Sequence, residues 1–393
     1  MDFLSFSMNY WEDLRQSRHH VMSRLATRHK VLFVSPPAHI REVLSAKRRG
    51  LPHSGLQERS ENLFSLVPSH LLFETHRFPP LNRLSAYFRE AQIRHFLRKL
   101  GFQQVVLFIW HPRYSNLLGK FGEAVSCYYV DEEFTSYYGM PEGEKQQIRA
   151  REEVLLGGVD LVFANGSALL DQKNKYGNAS NVPMGVDFGL FSRASLEETA
   201  IPSDLAAIQP PRIGYIGNVN DKVDFELLES IARSKPLWSV VLVGPLSIRT
   251  PEFRANFEGL RQLPNVHHLG FRPLQTLPNY VRGLDVCLMC YRTDGWAYYG
   301  YPLKLHEYLA GGKPVVGSDL PSIREFSGVI SIARTAEEWQ GAIEAGLNDN
   351  SATRISKRVQ VARENTWEER VQLIEKAIAA KMEEKSANAR MPL

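Results

Sequence analysis

Lys304 and Glu307 are the ionisable pair whose spacing and setting are best suited to chemistry. They lie in YPLKLHEYLAGGKPVVGSD, Tyr301 to Asp319. Pro302 suits a first helical position, because its ring presets φ and its missing N–H has no helical partner to lose there. Leu305, Tyr308 and Leu309 recur at helical spacing and predict one apolar face. Gly311 and Gly312 stop the helix, and Pro314-Val-Val-Gly follows as a short buried strand. Lys304 and Glu307 leave the opposite side together. Free backbone N–H groups at the helix start, near Leu303 and the Lys304 ammonium, suit a phosphate. The Glu307 carboxylate, one turn further in, can accept hydrogen bonds from two sugar hydroxyls. The combination reads as a nucleoside diphosphate site. Lys304 and Glu307 taken alone read more simply as an i,i+3 ion pair on a solvated helix face.

The stretch resembles the nucleotide-sugar motif of GT-B glycosyltransferases of the family-4 and group-1 type, Pro-x-Lys-x-x-Glu-Tyr-Leu-Ala-x-Gly-Lys-Pro-Val-Val, and follows it without a gap. The resemblance implies that Glu307 holds the donor ribose while Lys304 and the helix N-terminus face the pyrophosphate. It implies an α/β GT-B fold, two Rossmann-like domains with parallel sheets facing a central cleft. The implied division is an acceptor-binding domain at 1–190, a linker at 191–211, a donor domain at 212–365 and a helix at 366–385 returning to the first domain.

Periodicity shows the elements that must carry such a site. FLSFS (3–7) predicts a strand, 11–27 a helix and KVLFV a second strand, with an irregular loop or short helix at 38–60. NLFSLV (62–67) predicts a strand and 80–100 a long, Arg-rich helix. VVLFIW (105–110), AVSCYYV (124–130) and DLVFAN (160–165) read as strands of a parallel sheet covered on both faces. Ligands of open α/β sheets bind beyond the carboxyl ends of strands, which singles out His111 and Asp131. No Gly-x-Gly-x-x-Gly occupies the first turn, which counts against a dinucleotide-binding dehydrogenase. The turn carries Trp11, Arg15, Arg18, His19 and His20 instead. This opening resembles a subset of bacterial group-1 glycosyltransferases, which implies an acceptor side formed by Trp11, His19 and His111. For His19 and His20 a solvated helix face is an equal reading. AVSCYYVDEE, GVDLVFANGSALL and NVPMGVDFGLF resemble further segments of the family.

In the second half RIGYIG, WSVVLVGP, VHHLG and DVCLMCY alternate with helices, again predicting a parallel sheet. The resemblance places the donor among Gly217, Asn218, Lys222, Gly244, Phe271 and Arg272, besides Pro302, Leu303, Lys304 and Glu307. YRTDGWAYYGY (291–301) is expected to border the donor sugar. Two positions depart from the pattern. Retaining members carry a Glu eight residues before the one matching Glu307, where this chain has Tyr299; and Asn218 replaces an Arg, leaving Lys222 as the second cation. Asp131 is the candidate general base, with an N-cap or salt-bridge role as the alternative.

Composition bounds these readings. The 393 residues are 44% hydrophobic and 23% charged, ordinary for two globular domains. Cys287-Leu-Met-Cys290 has metal-like spacing but lies in a predicted strand, where residues three apart face opposite ways, so buried thiols of a reducing cytoplasm are expected. No segment reads as a membrane span or leader. Residues 1–113 hold 17 Lys and Arg against 8 Asp and Glu, whereas the remainder holds 30 against 35. The basic half suggests an anionic partner. With the resemblance, that partner is expected to be the inner face of a cytoplasmic membrane rather than nucleic acid. No Asp-x-Asp occurs, so a metal-independent reaction is expected, with no cofactor beyond a UDP- or GDP-linked sugar as substrate. The implied activity is sugar transfer to a saccharide or lipid-linked saccharide for cell-surface polysaccharide or glycolipid. An inactive GT-B scaffold and a GT-B nucleotide-sugar epimerase are the alternatives.

Overall fold

The computed structural model describes residues 1–45, 50–75, 77–301, 303–349 and 351–388. Its strands form two sheets. β1 (Asp2–Phe6), β2 (Lys30–Val34), β3 (Gly55–Ser60), β4 (Leu63–Val67), β5 (Val105–Ile109), β6 (Val125–Val130), β7 (Leu161–Ala164) and β8 (Ala179–Asn181) run in the order β3-β4-β2-β1-β5-β6-β7-β8. All its pairings are parallel except β3 with β4. β9 (Arg212–Ile216), β10 (Ser239–Val243), β11 (Val266–Gly270), β12 (Val286–Met289), β13 (Val315–Ser318) and β14 (Ser331–Ala333) form a wholly parallel sheet, β11-β10-β9-β12-β13-β14. Two Rossmann-like sheets on one chain are the architecture the motif resemblance implies.

The apolar strands are buried on both faces. Phe3 and Phe108 pack into one layer of the first domain, and Leu4 and Leu107 into the other. Cys287 and Cys290 likewise enter opposite cores of the second domain, so they do not converge on one ion. The helix Trp367–Asn388 returns to the first sheet, packing Trp367, Val371, Ile374 and Ile378 with Phe3 and Phe163.

Several local expectations change. The helix expected at 11–27 runs only from Ser17 to Leu25, because the Asp13 carboxylate accepts the Tyr10 N–H at 2.8 Å and holds the preceding residues in a turn. The loop at 38–60 contains the helix Ile40–Leu44 and the edge strand β3. GLQERS shows no apolar alternation because neither face of that edge strand is fully buried. The polar tail 386–393 reads from the sequence as disordered; its residues 386–388 continue the last helix, which Lys385 ties to Asp160 at 3.0 Å, and 389–393 lie outside the described residues. Pro302 lies outside the described residues, as do Lys47, Arg48 and Arg49, a basic run that the sequence offers to an anionic partner.

Candidate active site

β9 and β10 end in glycines that no other residue could replace without moving the backbone. Gly217 has φ 153° and Gly244 φ 145°, a region open to glycine. A Cβ on Gly244 would stand 1.9 Å from the Gly217 carbonyl oxygen, and one on Gly217 would stand 1.6 Å from Lys304 Cε. Two strand ends and one lysine are therefore in direct contact. The helix Leu303–Ala310 is fixed beside them by Tyr308, whose hydroxyl accepts the Ile216 N–H at 2.7 Å. Leu305, Tyr308 and Leu309 are fully buried, and Leu303 packs against the core of the first domain.

This helix is enclosed on nearly every side, so the reading of Lys304 and Glu307 as a solvated ion pair does not hold. Glu307 is only 8% exposed, and both residues line a cavity of about 600 Å³ between the two domains. Neither has a hydrogen-bond or ion-pair partner among the described residues; Lys304 Nζ lies 5.7 Å from the Tyr215 ring centroid. Burial pushes Glu307 up to about 7, against the pull of Lys304. Burial also lowers the Lys304 ammonium, against the pull of Glu307. A cation and a carboxyl kept without protein partners in a cleft between domains are poised for a ligand's own charge and hydroxyls.

The other expected donor-side residues line the same cavity, apart from Pro302, which lies outside the described residues. Asn218 Oδ1 accepts the Ser247 hydroxyl at 2.5 Å. Phe271 stands 53% exposed at the mouth. Arg272 is already occupied: its N–H groups donate to Asp204 at 2.5 Å, the Tyr280 hydroxyl at 2.6 Å and the Phe271 carbonyl at 2.8 Å. Lys222 reaches across to the first domain, 3.1 Å from Glu132, with its ammonium 3.8 Å from the Trp296 ring centroid. From the loop 291–301, Tyr291, Ala297, Gly300 and Tyr301 border the cavity.

On the opposite wall Asp131, just past β6, is 3% exposed. Its Oδ2 accepts from Arg18 at 2.8 Å and from the Ser17 hydroxyl at 3.2 Å, while Oδ1 is buried with no partner. Burial raises its pKa above the usual carboxylate range, outweighing Arg18. Glu132 also lines the cavity; Lys222 and the Tyr137 hydroxyl outweigh burial and hold its pKa low.

The structure places the remaining expected acceptor-side residues away from the cavity. Trp11, His19 and His111 are absent from the cavity wall. Trp11 packs edge-on against Phe33, with ring centroids 5.1 Å apart. His19 has both ring nitrogens committed to backbone: Nδ1 accepts the Gln16 N–H at 3.1 Å, and Nε2 sits 3.2 Å from the Tyr10 carbonyl. Burial brings its pKa down to about 4, so it is the neutral buttress of a helix start. His111 Nδ1 accepts the Arg113 N–H at 3.1 Å, and burial lowers its pKa to about 3. Nothing local in the sequence marks Ser17 and Glu132 as site residues or gives Arg18 its partner. Their relevance comes from pairing across more than a hundred residues, or across domains, for which a single sequence has no periodic signal. Among the described residues no group of three or more His, Cys, Asp or Glu is placed to hold a metal ion.

Residues 210–349 match the family described as glycosyl transferases group 1. Over 188 residues the chain is 30% identical to a Bacillus subtilis (strain 168) protein named "Putative teichuronic acid biosynthesis glycosyltransferase TuaH". That match spans 47% of this chain and 46% of the relative, less than half the relative's length. Among solved structures, an E. coli trehalose-6-phosphate protein bound with UDP-2-fluoro glucose superposes with a TM-score of 0.68 at 12% identity, covering 97% of this chain and 99% of the other. HepE of Anabaena in complex with UDP gives 0.67 at 13% identity over 97% and 100%. Sucrose-phosphate synthase of Thermosynechococcus elongatus gives 0.68 at 17% identity over 97% and 100%. At these identities the likeness establishes the two-domain fold.

Proposed function

We propose that this chain, whose residues 210–349 form a group 1 glycosyl transferase domain, moves a sugar from a nucleotide-sugar donor to a hydroxyl of a saccharide acceptor. The observation that carries this reading is a cleft between two Rossmann-like sheets lined by three incompletely partnered ionisable side chains: Lys304 and Glu307, which have no hydrogen-bond or ion-pair partner among the described residues, and Asp131, whose buried Oδ1 has none. The diphosphate lies over Gly217 and Gly244, where the missing Cβ atoms let it approach backbone, and beside Lys304. Glu307 receives the ribose hydroxyls, and the base extends towards Phe271. Asp131 Oδ1 takes the proton of the acceptor hydroxyl as its oxygen bonds to the sugar's anomeric carbon. The bond from that carbon to the phosphate oxygen breaks with its electron pair leaving on the nucleoside diphosphate. Lys304, whose charge counts most as that anion forms, stabilises the departure.

The scaffold reading is weaker, because an inactive protein gains nothing from burying a lysine, a glutamate and a carboxylate oxygen unsatisfied. An epimerase needs a second set of acid–base groups in the cleft, and His19 and His111 are committed to backbone outside it. The relative's name points to cell-surface polysaccharide, and two of the matched structures hold UDP or a UDP-sugar. Both support a UDP-linked donor and a saccharide or lipid-linked saccharide acceptor. No described helix is long and apolar enough to cross a membrane, and the basic first domain supports attachment to an anionic inner membrane face. Lys304 supplies the leaving-group charge, so turnover is proposed to need no divalent metal or cofactor. The test is release of UDP or GDP from a panel of sugar nucleotides, with and without saccharide acceptors and with a chelator. Acceptor-dependent release from one donor supports the reading. Silence across the panel, with the nucleotide still bound, favours the scaffold.

A further inference from the structure

The first domain carries an apolar surface that its own fold leaves uncovered. Leu71 is 83% exposed, Phe78 58%, Leu81 40%, Leu84 53%, Tyr87 62% and Phe88 49%. Leu81, Leu84 and Phe88 recur at i, i+3 and i+7 on the helix Pro79–Lys99, while Glu90, Ile93 and Leu97 turn inward. No acidic residue occurs between Glu74 and Glu90, whereas Arg77, Arg83 and Arg89 do. Arg89 is drawn inward to the Leu72 and Phe73 carbonyls, but Arg77 and Arg83 are exposed beside the apolar stripe.

The position of this surface matters as much as its composition. Glu74, just ahead of the helix, receives the side chain of Arg113 from beyond β5, and its N–H donates to the Ala38 carbonyl beyond β2 at 2.9 Å. The helix therefore starts at the carboxyl edge of the first sheet, the edge on which Asp131 and the cavity lie, and runs back from it. A contiguous apolar patch rimmed by one sign of charge marks a contact surface. A second copy of this chain is a poor occupant, since a two-fold contact would set an acid-free, arginine-bearing surface against itself. Anionic headgroups over an acyl boundary match both features.

We infer that the exposed half of the helix Pro79–Lys99, together with Leu71, docks the protein onto an anionic lipid surface and sets the mouth of the cavity at the headgroup layer. This deepens the proposed reading and rests on it only for the lipid-linked nature of the acceptor. The test is flotation of the full chain with vesicles of phosphatidylcholine alone or mixed with phosphatidylglycerol, across a salt series, with UDP affinity measured in parallel. The wild type should float with the anionic vesicles only. The double variant Leu84→Ser/Phe88→Ser should lose at least about tenfold in partitioning, since two exposed apolar anchors are removed. Arg77→Gln/Arg83→Gln should lose about fivefold per charge and flatten the salt dependence. Both variants should keep wild-type UDP affinity, which excludes misfolding. No flotation, equal flotation with neutral vesicles, or unchanged flotation of the Leu84/Phe88 variant would overturn the inference. So would a concentration-dependent dimer abolished by that variant without vesicle binding. Flotation without UDP binding leaves the docking surface standing and removes the donor-site reading; UDP binding without flotation does the reverse.

Discussion

The two walls of the cavity, proposed to take donor and acceptor, are built by different means. The donor wall rests on backbone: two strand ends meet because Gly217 and Gly244 have no Cβ, and Lys304 fills the space that leaves. Its working groups, Lys304 and Glu307, sit three residues apart on one helix and have no protein partner. The acceptor wall rests on side chains. Asp131 is held by Arg18, 113 residues earlier, which takes up one carboxylate oxygen and leaves the other bare. A wall made of backbone tolerates almost no substitution, and its residues are tied to strand ends and a helix start. A wall made of side-chain pairs can change its partners while keeping the fold. Under the proposed function, this contrast separates nucleotide binding, assigned to the second domain, from the choice of acceptor, assigned to the first.

The largest expected effect falls on the acceptor wall. Asp131→Asn keeps an oxygen for Arg18 but loses the base, so turnover should drop roughly 10²–10⁴-fold while UDP affinity is unchanged. A near-normal rate would leave Asp131 as an ion-pair partner only. Gly217→Ala breaks the donor wall: the added Cβ displaces Lys304, so UDP affinity should fall by about tenfold or more, the worth of a charge-assisted contact. Gly259→Ala, where a Cβ meets open space, should leave affinity as it is. Equal behaviour of the two glycine variants in calorimetry would remove the backbone argument.

Titration sharpens the contrast further. Glu307 holds its proton up to about pH 7, against an ordinary value of 4.5. The folded, unliganded protein thus binds that proton more tightly than the unfolded chain, so stability from this group is full below about pH 4.5 and declines as pH rises towards 7. Ribose hydroxyls donate to the ionised form, so UDP affinity should rise with pH and level off above about 7, with proton release on binding near pH 6. Calorimetry in buffers of different ionisation enthalpy reads that release directly, and Glu307→Gln should abolish it. The smallest effect belongs to His19. His19→Ala removes an acceptor for the N–H at a helix start and should cost about 1 kcal/mol of stability without touching UDP affinity.

What the sequence made legible follows the same division. The helix that carries Lys304 and Glu307 appears in one uninterrupted stretch, where proline, apolar spacing and paired glycines fix it and the strand after it, while Gly217 and Gly244 come from two separate strand ends. Asp131 was within reach because fully apolar strands predict a parallel sheet, and parallel sheets bind ligands at their carboxyl ends. His111 meets the same rule yet lies off the cavity wall, since a polar residue at a strand end can instead cap the turn that follows, here by accepting the Arg113 N–H. His19 lies off the wall for a related reason: its ring steadies the start of its own helix. Arg18 was visible, but its partner was not, because nothing local in the chain links it to Asp131. The exposed stripe at Leu81, Leu84 and Phe88 has the spacing of a buried face, so periodicity alone assigns it to the core.

The central claim is that the cleft beside Gly217 and Gly244 holds a nucleoside diphosphate with Glu307 on its ribose. Isothermal titration of UDP and GDP into the wild type and Glu307→Ala tests it most directly. One of the two nucleotides should bind the wild type, and the variant should bind it about 1.5–3 kcal/mol more weakly, the range for hydrogen bonds to a charged group. Equal affinity in both proteins, or no binding of either nucleotide to the wild type, would contradict it.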